Sequence, residues 1–437
     1  MPPRPYNARV LPVIDRHSPL IDETYHVAKL PCGLTAYVFP KKGMQRKTAV
    51  YGTLYGSIDN DFRHAGASYS MPHGIAHFLE HQLFKKKTGD LLVEFSKKGA
   101  SSNAGTEYST TVYYFSCIDN FADNLTTLTG LVFAPVFRPD WVAKEKLIIE
   151  QELRMYRDMP DFRIYQNLQE SLYSRHPARV DIGGTVESIQ AITPAQLQQC
   201  WRTFYSPSNM VLAVAGDLDP RAVFEQVQAG VEALGLGRDG RITRSYPREP
   251  REVGEARRSE AMQVARPKFM MAWKETDPPA RGRQEVEREV AINLALDALI
   301  GRGTRLYERL YGKGLLDESF SASYSSTPTF GSTICGGETD DPEGLEKSLL
   351  AGLEKFLKDG IRRRDLDRIK RKYLGAFLRG FDQVDPCAFS LLRFHFKKFD
   401  VFELPKLVSH VSGTAILKAA RAHFGHRNRT VSLLVPK

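Results

Sequence analysis

The chain has 437 residues, of which 42% are hydrophobic and 26% are charged, and its formal net charge at pH 7 is +10. These values predict a soluble globular protein of two to three domains. No stretch reaches about 18 consecutive apolar residues and the N-terminal segment lacks an apolar run, so neither a membrane span nor a signal peptide is indicated.

The first segments predict an antiparallel sheet. Residues 1–27 are expected to form a loose lead-in. Segments 27–38 and 49–58 alternate in polarity, are rich in β-forming residues and are separated by the turn-like residues 41–43. Alternating polarity with turn residues between the segments is typical of neighbouring strands in an antiparallel sheet.

The next segment, 71–87, carries the motif HFLEH at 77–81 on a predicted helix. Positions i and i+4 share a helix face, so His77 and His81 can present two imidazoles to one ion, with Glu80 near the same face. Neutral imidazole is a good zinc ligand, and a carboxylate beside the zinc-activated water can act as general base. The order H-x-x-E-H is the inverzincin pattern. A helix that carries these residues by chance is the alternative, which the apolar character of its other positions disfavours.

A candidate third ligand follows on an acidic helix. The intervening segments predict a short helix at 90–98 that ends at Gly99, strands at 101–106 and 109–117, and helices at 120–133 and 139–156. The last helix carries Glu145, Glu150 and Glu152. Glu145 and Glu152 are two helical turns apart and share a face, whereas Glu150 points elsewhere. Each of these glutamates, taken alone, could instead belong to a solvent-exposed helix face and bind no metal.

The remaining segments predict a second copy of the same arrangement. The first half closes with helices at 161–172, 193–204 and 220–234 and a strand at 210–216, and 235–260 is expected to be a linker with edge-strand character at 242–246. The second half predicts strands at 268–273, 319–326 and 333–338, helices at 285–300, 306–311, 342–359, 365–379 and 385–396, and a last strand. Because the ends of the two halves also match, we expect a duplicated α+β domain. Residues 290–300, which correspond to the histidine helix of the first copy, contain no histidine. The second copy is therefore expected to form a wall of the substrate chamber and not a metal site.

The basic charge raises a competing function, binding of nucleic acid or an anionic surface. A basic run lies at 362–372, but acidic residues interrupt it and apolar residues give it a core-facing stripe, which favours a solvated amphipathic helix.

The five cysteines are scattered without C-x-x-C spacing, which predicts reduced thiols and a cytoplasmic protein.

Taken together, these motifs resemble the pitrilysin-type inverzincin metallopeptidases, the family of insulin-degrading enzyme and the mitochondrial processing peptidase. The resemblance rests on GIAHFLEH at 74–81 with Glu145 and Glu152, and it extends to segments 101–106, 176–177, 183–189, 205–210 and 336–341. It implies that His77, His81 and Glu152 bind Zn²⁺, that Glu80 is the base and that Glu145 supports the site. It also implies that a peptide pairs with the strand around Asn103 and Ala104. The resemblance is greatest to small bacterial members that work as paired half-length subunits.

One departure from the family bears on partners. Active members carry an Arg and a Tyr, seven positions apart, that hold the substrate carbonyl. The aligned positions here fall near Tyr311 and Asp317, and substitution by Arg305 or Arg309 has the wrong spacing. We therefore expect a heterodimer with a homologous subunit that lacks zinc ligands and supplies the Arg and Tyr, with a homodimer as the alternative.

The resulting interpretation is an α+β chain of two homologous domains, each an antiparallel sheet with helices mainly on one face, forming one half of a clamshell. The predicted boundaries are 1–234 for the zinc-binding domain, 235–260 for the linker and 261–437 for the non-catalytic domain. The predicted function is zinc-dependent hydrolysis of short or unfolded peptides in an enclosed chamber, without nucleic-acid or membrane partners. A non-catalytic subunit of the same family and, more remotely, a basic nucleic-acid or anionic-surface binder are the alternatives.

Overall fold

The computed structural model describes residues 11–87, 89–236 and 240–437. The strands are β1 (Val13–Ser18), β2 (Glu23–Lys29), β3 (Thr35–Pro40), β4 (Lys47–Thr53), β5 (Asp61–His64), β6 (Ala67–Ser70), β7 (Lys85–Lys86), β8 (Gly89–Asp90), β9 (Ala100–Thr106), β10 (Thr111–Cys117), β11 (Met210–Gly216), β12 (Thr243–Arg244), β13 (Arg257–Met262), β14 (Lys268–Lys274), β15 (Ser321–Ser326), β16 (Gly331–Glu338) and β17 (Arg429–Pro436). The helices are α1 (Ile75–Leu83), α2 (Leu91–Lys97), α3 (Phe121–Phe133), α4 (Pro139–Arg157), α5 (Pro160–Leu172), α6 (Val186–Gln190), α7 (Pro194–Phe204), α8 (Pro220–Ala233), α9 (Arg283–Ile300), α10 (Arg305–Gly312), α11 (Pro342–Asp359), α12 (Arg363–Arg379), α13 (Val384–Phe396), α14 (Leu404–His410) and α15 (Gly413–His423).

A seven-stranded sheet forms the first half, in the order β1-β2-β3-β11-β4-β10-β9. Neighbouring residues of its strands point to opposite faces, as the pleat requires. Tyr51 pairs with Tyr113 and Leu212 in one row that packs under the helices of this half. Val50 belongs to the next row, which faces the second half of the chain.

The second half repeats this sheet. Its five strands follow the order β13-β17-β14-β16-β15, which matches β3-β11-β4-β10-β9 of the first sheet. In each of these five-strand sets, the first two strands are parallel, namely β3 with β11 and β13 with β17. All other neighbouring strands of the two sets are antiparallel. The expectation of a duplicated α+β domain is confirmed.

Each half contributes one helix that packs on the sheet of the other half. Helix α5 of the first half packs on β14 and β17, whereas α13 of the second half packs on β4 and β11. A single cluster of buried side chains therefore contains residues of both halves. Gly52 leaves room for this contact, because a Cβ there would lie 2.7 Å from Leu392 Cδ1.

Several predictions about the chain ends and connections need correction. The lead-in prediction for 1–27 is wrong where β1 and the start of β2 lie, and residues 1–10 lie outside the described residues. Strand β1 was missed because five of its six residues are exposed and four are polar, so it lacks an apolar alternation. The β5–β6 hairpin and helices α6, α14 and α15 were also missed.

The segment predicted to be a linker has local structure of its own. Strand β12 falls inside the predicted edge strand at 242–246, and β13 begins at Arg257. Residues 237–239 of this segment lie outside the described residues. The domain boundaries stay a prediction.

Two further sequence patterns have a clear structural outcome. The basic run lies on α12, which buries Leu366 and Ile369, so the amphipathic stripe is present. In the described part of the chain, no helix has the length and apolar character needed to cross a bilayer.

Candidate metal centre

Helix α1 begins where two loops meet. Its N-cap, Gly74, has φ 83°, and a Cβ at this position would lie 2.2 Å from the carbonyl oxygen of Gly183. A residue with a side chain would therefore be strained by both its backbone angle and this contact. The Ser188 hydroxyl also donates to the carbonyl of His73 over 2.8 Å. These contacts fix the start of the helix that carries the histidine motif.

The i, i+4 spacing places the two imidazoles together, as predicted. The ring centroids of His77 and His81 are 4.6 Å apart. Burial, reinforced by the neighbouring His81, lowers the pKa of His77 to about 3. The ring is therefore neutral near pH 7, which is the form that binds a metal. Its Nδ1 atom is buried without a hydrogen-bond partner among the described residues.

Helix α4 brings a carboxylate to the same point. Glu152 Oε2 lies 3.5 Å from His81 Nε2, and Glu152 Oε1 lies 3.9 Å from His77 Nε2. Ligand atoms of these three residues all lie within 4.8 Å of one another. Tetrahedral ligands at about 2.1 Å from a zinc ion are about 3.4 Å apart, so the donor types and their spacing fit zinc. The assignment of the three residues as ligands stays a prediction.

Glu145, two turns before Glu152 on α4, lies behind His81 of α1. Its Oε1 atom is 3.0 Å from His81 Nδ1, and only 4% of the residue is exposed. Burial opposes protonation of His81, but the hydrogen bond to Glu145 and the surrounding carboxylates outweigh it and raise its pKa. A carboxylate on one ring nitrogen fixes the orientation of the other, a recurring feature of metal-binding histidines. Glu150 points elsewhere and pairs with Arg154.

Glu80 is held beside this group by a strand of the sheet. Thr106, at the end of β9, donates a hydrogen bond of 2.6 Å from its hydroxyl to Glu80 Oε2. Burial raises the pKa of Glu80, and the bond to Thr106 opposes that rise. Sequence reasoning assigned no role to Thr106, because the contact depends on how the sheet packs against α1.

Strand β9 lies at the edge of the first sheet. Asn103 is exposed, and its side-chain oxygen accepts a 2.9 Å hydrogen bond from the backbone N–H of Ala104. This N–H therefore points away from β10, toward the free edge. Of the two residues predicted to contact substrate, Ala104 therefore presents its N–H at the free edge of the strand whose end reaches Glu80, and Asn103 presents an exposed side chain beside it.

Two residues near the metal ligands were not singled out from the sequence. Asp181 accepts a hydrogen bond from the backbone N–H of Gly183, and burial raises its pKa to about 6. Tyr156 lies one turn beyond Glu152, and its pKa is raised by burial and by its contact with that carboxylate. The motif at 183–189 pointed to this loop but gave no signal for Asp181.

The segment that aligns with the family's Arg and Tyr offers no such pair at the metal centre. Tyr311 is 49% exposed on α10 and stacks on Tyr307. Asp317 instead forms an ion pair of 2.7 Å with Arg266. Arg305 and Arg309 are both exposed on α10.

The duplicated fold, with an H-x-x-E-H helix in the first copy alone, defines the class of half-length inverzincin-type chains. Two family models match the chain: "Insulinase (Peptidase family M16)" over residues 64–186 and "Peptidase M16 inactive domain" over residues 191–373. The chain belongs to peptidase family M16, as the resemblance implied.

Relatives along the whole chain support this conclusion. "Uncharacterized zinc protease YmfH" of Bacillus subtilis is 37% identical over 419 residues, which is 95% of this chain and 98% of that protein. The crystal structure of an M16-like peptidase from Alicyclobacillus acidocaldarius has a TM-score of 0.92 at 32% identity, covering 98% of this chain and 99% of the other. Pitrilysin shares the fold, with a TM-score of 0.74 at 16% identity, over 97% of this chain and 46% of its own.

Proposed function

We propose that the chain is a zinc-dependent endopeptidase in which His77, His81 and Glu152 hold the metal. The observation that carries this proposal is the convergence of two imidazoles and one carboxylate within 4.8 Å, with Glu80 beside them. The zinc-protease name of its full-length relative in Bacillus subtilis agrees with it.

The roles of the chain's own residues follow from their surroundings. Bound zinc would supply a Lewis acid for the scissile carbonyl and a water of lowered pKa. Glu80 would take a proton from the attacking water at its carboxylate and pass it to the leaving amine. Thr106 fixes the orientation of the Glu80 carboxylate, and Glu145 fixes the ring of His81.

The peptide substrate binds as an added strand on β9. The outward N–H of Ala104 is available to a substrate carbonyl once the Asn103 side chain gives it up, as β-augmentation requires. A chain in this extended form must be short or unfolded, and enclosure in a chamber would exclude folded proteins.

The chamber requires a second subunit. This chain aligns with 46% of pitrilysin, so one copy corresponds to about half of such an enclosure. We propose a partner of the same family that lacks zinc ligands and supplies the Arg and Tyr that are missing near Tyr311 and Asp317. A homodimer is the alternative. Within this chain we assign 1–234 to the zinc-binding domain, 235–260 to the linker and 261–437 to the second domain.

The decisive experiment measures zinc content and hydrolysis of a quenched peptide library. We expect tight zinc binding at one ion per chain, activity that needs the partner, and loss of hydrolysis but not of zinc in Glu80→Gln. Glu150→Gln is the matched control, because this glutamate on α4 pairs with Arg154 away from the site. A chain without zinc would refute the metal site.

A non-catalytic family subunit remains the second candidate, favoured by the absent Arg and Tyr pair. It predicts zinc binding without hydrolysis, even when cell extract supplies partner subunits. Hydrolysis that depends on Glu80 would exclude it.

A further inference from the structure

Tyr156 lies at the metal centre but has no part in the catalysis proposed above. It is on α4, four residues after Glu152, so the two side chains share a face of the helix one turn apart. Aromatic side chains of a helix lean back toward its N-terminus, which directs the Tyr156 hydroxyl toward Glu152. Helix geometry therefore brings a hydroxyl group to a proposed zinc ligand.

A second aromatic ring holds Tyr156 in this position. Phe162 of α5 stacks on it, with ring centroids 5.0 Å apart and an angle of 19° between the ring planes. Tyr156 is half-buried in the fold. Stacked aromatic rings attract each other, so this contact restricts the orientation of the Tyr156 ring. The hydroxyl is thus held over α4 and is not free to turn into solvent.

The charges around the hydroxyl agree with this placement. Burial is the largest cause of the raised pKa of Tyr156, followed by the charge of Glu152 and by a hydrogen bond that the hydroxyl donates to it. The charges of Asp181 and Glu80 add to the rise. Because such effects weaken with distance, the hydroxyl lies among the carboxylates of the metal centre. A phenol hydroxyl is protonated near pH 7 and can donate to one of them.

Glu152 is the carboxylate that most needs such a donor. His81 and Glu80 each have an outer hydrogen-bond partner, as described above. Both oxygens of Glu152 face imidazoles, with Oε2 at 3.5 Å from His81 Nε2 and Oε1 at 3.9 Å from His77 Nε2. A carboxylate in this position can bind a metal through one oxygen or through both. A donor on one oxygen leaves the other for the metal.

We infer that Tyr156 is a positioning residue, which donates a hydrogen bond to Glu152 and restricts this carboxylate to one metal-binding oxygen. That arrangement keeps a coordination position open for water, as a catalytic zinc site requires. Carboxylate ligands are commonly held by outer hydrogen bonds of this kind. The inference rests on the proposed function, because it takes Glu152 as a ligand, and it adds a residue to which the family resemblance gives no role.

The experiment compares Tyr156→Phe with the wild-type chain, because this variant removes only the hydroxyl and keeps the ring that stacks on Phe162. Zinc affinity is measured by competition with a chelator, and the visible absorption of the cobalt-substituted chain reports the coordination number. We expect about tenfold weaker zinc binding and weaker cobalt bands, as the coordination number rises when Glu152 binds through both oxygens. Tyr311→Phe is the control, since this tyrosine of α10 also stacks on a neighbouring ring.

A double-mutant cycle tests whether the hydroxyl acts through Glu152. Glu152→Ala keeps the imidazoles of His77 and His81, so weak zinc binding can still be measured. Adding Tyr156→Phe to this variant should cause no further loss of affinity. Asp181 is the competing acceptor for the hydroxyl. A cycle in which Tyr156→Phe loses its effect with Asp181→Asn but keeps it with Glu152→Ala overturns the inference.

The remaining outcomes are also decisive. A Tyr156→Phe chain that matches the wild type in zinc affinity or in cobalt spectrum overturns the inference, and so does an equal loss of affinity in Tyr311→Phe. Thermal unfolding of the metal-free variants shows that a changed affinity is not a changed fold. A wild-type chain that binds no zinc refutes the proposed metal site and this inference with it. Zinc binding by the wild type with an unchanged Tyr156→Phe chain refutes this inference alone.

Discussion

Replacing Glu145 should weaken zinc binding in a graded way. The wild-type carboxylate lies 3.0 Å from His81 Nδ1 and is 4% exposed, so it holds the ring with little competition from water. Loss of such an outer carboxylate lowers metal affinity by about 10- to 100-fold, or about 1.4–2.7 kcal/mol. Glu145→Gln keeps an oxygen that accepts from Nδ1–H and should lie near the lower figure. Glu145→Ala keeps none and should lie near the upper one.

Zinc affinity is measured by competition with a chelator of known affinity. Glu150→Gln is the control, because Glu150 lies on the same helix but forms a 2.5 Å ion pair with Arg154. It should bind zinc as tightly as the wild type. Glu152→Gln, which alters a proposed ligand, should lose more affinity than either Glu145 variant.

Two results would refute the reasoning. Wild-type affinity in Glu145→Ala would show that the contact to His81 does not orient a ligand. Equal losses in Glu145→Ala and Glu150→Gln would point to a general effect of charge on α4 rather than to the hydrogen bond.

Three other predictions concern stability. Gly74→Ala should destabilise the fold by about 2 kcal/mol more than Gly43→Ala in thermal unfolding, because both glycines have positive φ but only Gly74 would place its Cβ against a carbonyl oxygen. Leu392→Ala should cost about 2–5 kcal/mol by denaturant titration, since this buried side chain packs between the halves, and a smaller loss would show that the halves separate easily. Burial opposes ionisation of Glu275, but His423 and neighbouring groups outweigh it and lower its pKa to about 2. Its folded-state pKa lies below the unfolded value, so it should contribute about 3 kcal/mol near neutral pH that is lost as the pH falls from about 5 to 2. Glu275→Gln should lack that loss in unfolding measured across this range.

The sequence predicted most elements because their ends are marked by residues with strong local preferences. Helices α4, α7 and α8 each begin with a proline, whose fixed φ suits the first turn. Strand β1 carries no such mark, and its mainly polar side chains gave no alternation to detect. Its pairing with β2 comes from the backbone, which composition does not reveal.

In the candidate site, too, some contacts could be predicted from the sequence and others could not. The contact between His77 and His81 follows from helix geometry, and the shared face of Glu145 and Glu152 follows from their spacing. The bond from Thr106 to Glu80 has no local signal, because it depends on the register of β9 and on the packing of α1 against the sheet. Local periodicity thus predicts which side chains share an element, whereas contacts between elements need the fold.

The second copy has a physical role even without metal ligands. Its helix α13 covers the face of the first sheet opposite α1, and α5 of the first copy covers the second sheet in return. Removing the second half would expose the apolar row around Val50 of the first sheet, and removing the first half would expose the row around Met270 and Ala272 of the second. Exposing these rows to water is unfavourable, because burial of apolar surface is a main source of folding stability. The second copy therefore contributes to the stability of the first sheet although its helix α9 carries no histidine.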